Sequence, residues 1–178
     1  MNREEKIIPS REHAVELLKK VNVPSSVRKH SIAVARKAVE IASKIKKAEV
    51  DIELVEIGAL LHDIGRSKTH SFKHSLIGGK LLRNKGYPNE LALICERHIL
   101  GGLDAEDAEN VGLPKKDYLP ETLEERIVCL ADKHFAGHRE VTIEQRFNRW
   151  FKKYGRSKIL LKSKKRIEAI QRQINNLM

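Results

Sequence analysis

The chain has 178 residues, which is enough for one domain with a sizeable core and too few for two domains of ordinary size. Hydrophobic residues make up 40% and charged residues 33% of the sequence, a composition that is typical of a globular protein and excludes a disordered chain. The formal net charge of +11 favours polyanionic partners such as nucleotides, nucleic acid or anionic surfaces, although richness in Lys, Glu and Ile is equally typical of a thermophilic protein.

The two cysteines, Cys95 and Cys129, lie far apart in apolar helical patterns and do not form a CxxC pair. They are expected to be free, buried thiols of a reducing cytoplasm. The first ten residues, MNREEKIIPS, lack the apolar core of a signal peptide, and no segment approaches the ~20 apolar residues of a membrane span. The sequence therefore predicts a cytoplasmic location and no membrane partner.

Apolar residues recur at spacings of three and four along nearly the whole chain, and no segment shows sustained strand alternation. This pattern predicts an all-α fold, a single-domain helical bundle over residues 1–178. A first helix is predicted from a Ser10 cap to about Val21, and a second follows the PSS stretch at 24–26. The apolar stripe of the second helix includes His30, so this imidazole must find a partner or a metal ion.

The third predicted helix begins at Asp51 and leads directly into His62 and Asp63, with its end at Gly65. Adjacent histidine and aspartate side chains at a helix end can turn toward the same ion. The imidazole offers a neutral nitrogen, and the carboxylate can bridge two ions. The HD pair therefore indicates a metal site built by a helical bundle.

Two further predicted helices each carry one histidine near an end. Ser71 is the expected cap of a helix with His74 in its first turn, in which Gly78 and Gly79 allow another helix to come close. The next helix opens at residues 88–89 and carries His98 at its inner, C-terminal end. Residues 103–120 are polar with Gly and Pro, and they are expected to form a surface loop that could cover a site.

Capping-box patterns begin the last predicted helices. Thr122 with Glu125 opens a helix whose inner face includes Asp132, and Thr142 with Gln145 opens another. The helix after Thr142 carries a run of aromatic residues, for which core packing is favoured over a base-stacking platform. These are Phe147, Trp150, Phe151 and Tyr154. A basic amphipathic helix, ending near residue 177, is expected to pack on the bundle.

Four histidines and two aspartates thus occupy inward-facing or helix-end positions in an aliphatic bundle. Each buried polar group without a partner would cost ~1–3 kcal/mol, and a shared metal ion removes that cost. The candidate metal ligands are His30, His62, Asp63, His74, His98 and Asp132.

The order H…HD…H…H…D, in the segments LLHDIG, HSLIGGKLL, ERHILGG and LADKH, resembles the HD-domain metal-dependent phosphohydrolase superfamily of the HDIG type. The resemblance covers a metal-binding core at about residues 25–135, with the helices at about 142–178 packed on it. It is closest to small dinuclear proteins that hydrolyse dinucleoside polyphosphates. It implies one ion held by His30, His62, Asp63 and Asp132, and a second ion held by Asp63 with His74 and His98.

The implied activity is hydrolysis of a phosphoester or phosphoanhydride bond in a phosphorylated small molecule, a nucleotide, by metal-activated water. Mixed imidazole and carboxylate ligands suit two divalent transition-metal ions, with Fe or Mn preferred over Zn or Ni. Two alternatives stay open. The protein could be a nucleotide- or metal-binding regulator with little turnover, or an RNA-binding protein that uses its basic C-terminal helix. No sequence feature indicates an oligomeric state.

Arg66 departs from the family pattern, because dinuclear members often carry a lysine three residues after the motif aspartate. An arginine can hold a phosphate through two N–H groups but keeps its proton near neutral pH. The predicted catalytic residues are Asp63, Arg66 and Lys68, with Lys68, His70 or a metal-bound water handling protons. The alternative for Arg66 is an exposed helix-end charge. Lys133 is expected to point away from the site.

The tripeptide Gly86-Tyr87-Pro88 spells the signature of the cyclic-dinucleotide phosphodiesterase branch of this superfamily. It precedes His98 here, whereas that branch carries it after the paired histidines. The sequence therefore predicts only a helix-terminating turn at this position.

Overall fold

The helices of the bundle follow one another through short connections in the computed structural model, which describes residues 7–178. The elements are α1 Arg11–Lys20, α2 Ser25–Lys44, α3 Ile52–Leu61, α4 His74–Asn84, α5 Asn89–Arg97, α6 Ala105–Asn110, α7 Leu123–Lys133, β1 Phe135–Ala136, β2 Arg139–Glu140, α8 Ile143–Tyr154 and α9 Lys158–Leu177. The all-α prediction is confirmed. The strands β1 and β2 form only a two-residue antiparallel hairpin between α7 and α8.

Two capping predictions have different outcomes. Thr142 accepts a hydrogen bond from the backbone N–H of Gln145, and the Gln145 side chain accepts one from the backbone N–H of Thr142, so this capping box is complete. Thr122 likewise accepts from the backbone of Glu125, but the Glu125 carboxylate accepts from Glu121 instead of Thr122. The box that begins α7 is therefore only half formed.

The segment between α3 and α4 differs from the predicted boundaries. α3 ends at Leu61, and a 3₁₀ turn over Ile64–Ser67 follows it, so the helix stops before Gly65. α4 begins at His74 without a side-chain cap. Ser71 lies too far upstream to cap it, and its carbonyl oxygen instead accepts a hydrogen bond from the His74 imidazole.

Glycines allow this 3₁₀ turn to touch α4. A Cβ atom on Gly65 would lie 1.8 Å from the backbone oxygen of His74, and one on Gly78 would lie 3.2 Å from the backbone nitrogen of Gly65. The close approach predicted from the paired glycines is thus present at Gly78, and it brings the end of the HD motif against the helix that carries His74. Gly86, with φ +80°, lies just beyond α4, which agrees with the predicted helix-terminating turn.

The interior is aliphatic and lies between α2, α3, α5 and α7. Fully buried residues come from each of these helices, among them Val34, Val55, Leu60, Leu91 and Val128. Cys95 and Cys129 are also buried and free, as predicted. At ~0.8 kcal/mol for each buried CH₂ group, this aliphatic packing is the main force that holds the metal-binding helices together.

Residues 103–120 were expected to be a surface loop, and that expectation is wrong. They contain α6, whose sequence AEDAEN is too short and polar to show a helical period. Asp104 and Asp107 both bind Arg166 of α9, with oxygen–nitrogen distances of 2.5 and 2.8 Å. Val111 lines the cavity described below. The apolar cluster around α6 consists of Ile99, Leu103, Ala108, Leu113 and Tyr118.

The aromatic residues of α8 do not share one environment. Phe147 is fully buried, whereas Trp150 and Phe151 are half-buried and Tyr154 is 60% exposed. Trp150 and Phe151 nevertheless pack against the core, so the predicted core packing holds for Phe147, Trp150 and Phe151 but not for Tyr154. α9 packs on the bundle through a stripe that includes Ile167 and Ile174. Within residues 7–178, no helix combines the length and apolar character needed to cross a bilayer.

Candidate metal centre

The fold brings all six predicted ligands to one place. His30 comes from α2, His62 and Asp63 follow α3, His74 begins α4, His98 follows α5 and Asp132 lies near the end of α7. Their ligand atoms form three overlapping groups, each within 4.8 Å, that could hold an ion. The groups are His30 with His62 and Asp63; His62 with His98 and Asp132; and Asp63 with His74 and His98.

Each of the four histidines is oriented by the same kind of contact. In each ring, Nδ1 lies within hydrogen-bond distance of a backbone carbonyl oxygen. The distances are 2.5 Å from His30 to Gly137, 2.6 Å from His62 to Ala59, 2.7 Å from His74 to Ser71 and 2.7 Å from His98 to Cys95. A carbonyl oxygen only accepts, so Nδ1 carries the hydrogen and a neutral ring presents the lone pair of Nε2 to the centre.

These lone pairs face carboxylate oxygens at short range. The Nε2 atom of His30 lies 2.9 Å from an Asp132 oxygen, and that of His74 lies 3.0 Å from an Asp63 oxygen. Such contacts between acceptors repel unless a cation or proton lies among them. The Nε2 of His62 and the Oδ1 of Asp63 are also buried without a hydrogen-bond partner among the described residues. This donor set therefore fits a divalent metal ion.

Asp63 is placed to contact two ions. Its Oδ1 lies 3.0 Å from His74 and 3.4 Å from His98, while its Oδ2 lies 3.7 Å from His62 and 3.9 Å from His30. Its two oxygens thus face different pairs of histidines, as those of a bridging carboxylate do. The assignment of one ion to each pair stays a prediction.

Electrostatics favours ionised carboxylates at this site. Burial alone would raise the pKa of Asp63, but the facing His62 and neighbouring imidazoles hold it well below its usual range, and the carboxylates of Asp63 and Asp132 in turn raise the pKa of His62 despite its burial. Burial also opposes ionisation of Asp132, and the Lys133 ammonium is the main cause that holds this pKa well below its usual range. Burial lowers the pKa of His98 to about 4, so this ring stays neutral near pH 7. Ionised carboxylates and neutral imidazoles are the forms that bind metal ions.

Lys133 does not point away from the site, and that expectation is wrong. Its ammonium is buried, where it donates to Asp132 Oδ2 at 2.5 Å and to the backbone oxygen of His98 at 2.8 Å. The contact occupies one oxygen of Asp132 and leaves the other toward His30 and His62. The long stem of Lys133 lets its ammonium reach the buried carbonyl of His98, which follows the end of α5.

The predicted catalytic side chains lie in different places. The Nε atom of Arg66 is 2.9 Å from Asp63 Oδ2, and its side chain is only 28% exposed, so a solvated helix-end charge does not describe it. Both Arg66 and the exposed His70 line the cavity above the ligands. Lys68 is exposed and lies outside the cavity wall. The catalytic roles of Asp63, Arg66 and Lys68 stay predictions.

The ligands lie in a cavity of about 770 Å³, a size within the usual range of small-molecule sites, ~300–1,000 Å³. The same cavity wall also includes Arg146, Trp150 and Tyr154 of α8. The sequence favours core packing over a base-stacking platform for the aromatic residues of α8 and does not single out Arg146. The spacing of four places all three residues on one face of the helix, and that spacing was the available signal.

The family model for the HD domain matches residues 27–137, which include every candidate ligand. The chain belongs to the HD domain family. An uncharacterized protein of Methanocaldococcus jannaschii is 44% identical over 169 residues, which cover 94% of this chain and 98% of the relative. The HD domain of phosphodiesterase PgpH from L. monocytogenes, solved in complex with cyclic-di-AMP, is 20% identical to this chain, with a TM-score of 0.53. The match covers 91% of this chain and 95% of the PgpH chain. It shows that the two chains share a fold.

Two further groups of relatives act on RNA by name. The tRNA (cytidine(56)-2'-O)-methyltransferase of Thermoplasma volcanium is 40% identical over 148 residues. The match covers 83% of this chain but only 43% of the methyltransferase, so this chain spans less than half of that protein. Ribonuclease Y of Acidothermus cellulolyticus is 36% identical over 75 residues, which are 41% of this chain and 15% of the relative.

Proposed function

We propose that this HD domain protein is a metal-dependent phosphohydrolase that cleaves a phosphoester or phosphoanhydride bond of a nucleotide-like substrate with metal-activated water. The observation that carries the proposal is the centre itself. Four imidazole lone pairs and two carboxylates converge at the wall of a cavity large enough for a nucleotide. The cyclic-di-AMP bound to the HD domain of PgpH supports a nucleotide as the ligand.

His30, His62, Asp63 and Asp132 would hold one ion, and Asp63 with His74 and His98 would hold a second. Bound divalent ions lower the pKa of a coordinated water to near neutrality and neutralise phosphoryl oxygens. Borderline nitrogen and hard oxygen ligands together favour Fe or Mn, with Zn or Ni as alternatives. The carbonyl contacts at Nδ1 keep the imidazoles in the neutral, metal-binding tautomer.

We expect hydrolysis to depend strictly on a divalent transition metal, because the sequence places no serine, cysteine or lysine nucleophile in a recognised activated setting. Chelation should abolish activity, and Mn²⁺ or Fe²⁺ should restore it. The measurement is a reconstituted activity screen over dinucleoside polyphosphates, linear and cyclic dinucleotides, nucleoside phosphates and 2′,3′-cyclic nucleotides. Undiminished turnover after chelation would contradict the metal-dependent mechanism. Binding of a nucleotide without any turnover would favour the alternative function, a nucleotide-binding regulator.

Arg66 is proposed to hold a phosphate oxygen of the substrate. The Nε of Arg66 forms an ion pair with Asp63 Oδ2 at 2.9 Å, and its Nη1 donates to the His70 carbonyl oxygen at 3.4 Å. The side chain borders the cavity, and a guanidinium has five N–H donors, so others are left for a phosphate. Arg66→Ala should lower kcat/KM by roughly 10- to 100-fold, since a charge-assisted hydrogen bond contributes ~1.5–3 kcal/mol. Arg66→Lys should recover only part of this loss, because a point charge replaces the planar fork.

The metal content of both Arg66 variants, measured by elemental analysis, should stay at the parent level. If both variants have the same kcat and KM as the parent enzyme, Arg66 does not bind the phosphate, and Lys68 or the metal ions bind it instead.

RNA is a second candidate ligand, favoured by the net charge of +11 and by relatives whose names describe tRNA methylation and ribonuclease activity. α9 presents exposed cations, among them Lys165 and Arg172. If this helix binds RNA through phosphate contacts, affinity for tRNA should fall steeply with salt and should not change in Asp63→Asn. Weak binding without a salt slope would exclude this second candidate.

A further inference from the structure

The cavity has a second wall, 146–159, that the metal centre does not explain. It is formed by the inner face of α8 and the start of α9, and it carries Arg146, Trp150, Tyr154 and Ile159. Tyr154 is 60% exposed, and Trp150 and Ile159 are half-buried. A cavity that is lined by aromatic and aliphatic side chains as well as by a polar metal centre suits a ligand with one apolar, planar end and one anionic end.

Arg146 contacts the Trp150 ring in this wall. The centre of its guanidinium is 4.2 Å from the centroid of the Trp150 ring, which is the geometry of a cation–π contact. Its Nε is buried and has no hydrogen-bond partner in the described part of the chain. Burial lowers the pKa of Arg146 while the charge of Asp132 raises it, so the guanidinium lies within the field of the metal ligands. Trp150 thus holds a planar cation at the cavity surface.

We propose that Arg146, Trp150 and Tyr154 form a base-binding subsite, in which a purine or pyrimidine stacks on the Arg146 guanidinium, backed by Trp150, and on the Tyr154 ring. Guanidinium planes and aromatic rings are the surfaces on which proteins stack unpaired bases. This subsite rests on the proposed phosphohydrolase function, which places the phosphate of the substrate at the metal centre and Arg66. It makes a nucleoside phosphate, and not a simple sugar phosphate, the substrate class.

The test compares AMP with ribose 5-phosphate, which carries the same phosphate but no base. Calorimetric titration of the Mn²⁺-loaded protein should give a dissociation constant about 10-fold lower for AMP, since stacking on such surfaces contributes on that scale. Trp150 is the only tryptophan of the chain, so its fluorescence should change with AMP and not with ribose 5-phosphate.

Substitutions test which residues cause the preference for AMP over ribose 5-phosphate. Tyr154→Ala and Arg146→Ala should each reduce the preference for AMP, and Tyr154→Phe should keep it because the ring remains. Arg146→Lys should lose most of it, since the ammonium offers no plane. Arg149 is an exposed cation of the same helix outside the cavity wall, so Arg149→Ala is the matched control and should behave like the parent. Circular dichroism shows whether each variant is folded.

Three outcomes would overturn the subsite: equal affinity for both ligands, no binding of AMP at millimolar concentration, or equal losses for both ligands in Arg146→Ala. The last outcome would make Arg146 a phosphate ligand. Failure of the proposed function gives a different result, because phosphoester hydrolysis would then be absent while the preference for AMP and its dependence on Tyr154 persist.

Discussion

Replacement of Asp63 by Asn should remove both metal ions and lower kcat/KM by at least ~10³-fold, because metal ions contribute several kcal/mol of transition-state stabilisation. Among the residues that the structure describes, only Asp63 has two oxygens that face both pairs of histidines. An asparagine side chain keeps the shape but has one neutral oxygen, and its amide nitrogen cannot bind a cation. No other substitution at this centre should affect both ions equally.

Elemental analysis of the purified variants checks this expectation. His74→Ala and His98→Ala should each lose mainly one ion, since both face only the Oδ1 side of Asp63. His13 is an exposed histidine of α1, and His13→Ala is the matched control that should keep the parent metal content. A metal content that stays unchanged in Asp63→Asn would exclude the dinuclear assignment.

The sequence predicts that the candidate ligands lie together because helix ends have a regular geometry. His62, His74 and His98 each donate to the carbonyl three residues earlier, at Ala59, Ser71 and Cys95. The last carbonyls of α3 and α5 lack an intrahelical partner, so His62 and His98 find an acceptor for Nδ1 there and turn Nε2 inward. His74 begins α4 and uses the Ser71 carbonyl, which lies before that helix. The period of the apolar residues predicts which face of each helix is buried, and hence that these ends meet.

Other features depend on contacts between segments that are distant in the sequence, so local sequence patterns do not predict them. Lys133 is oriented by the carbonyl of His98, which is 35 residues away. α6 is short, and its link to α9 through Arg166 becomes visible only when the two segments are placed together. Arg146 belongs to an amphipathic helix whose polar face normally meets solvent, and only the cavity shows that part of this face is enclosed.

The buried ammonium of Lys133 gives the centre a property that can be measured without any substrate. Lys133→Met keeps the length of the stem and removes the charge that faces Asp132. Loss of one partner of a buried ion pair costs ~3–5 kcal/mol. Since the Asp132 side chain is 16% exposed, we expect a loss near the lower end of this range, about 3 kcal/mol in the free energy of unfolding of the metal-free protein.

The loss should be smaller when metal is bound, because a cation at the centre neutralises the Asp132 carboxylate in place of the ammonium. A ligand that binds only the folded state stabilises it in proportion to its affinity, so added Mn²⁺ should raise the unfolding midpoint of Lys133→Met more than that of the parent. Urea unfolding of each protein with and without Mn²⁺ gives this comparison, and Lys165→Met, a change at an exposed lysine of α9, is the control. Equal destabilisation of the metal-free and metal-loaded forms would mean that Lys133 stabilises the end of α5 through the His98 carbonyl alone and does not balance charge at the centre.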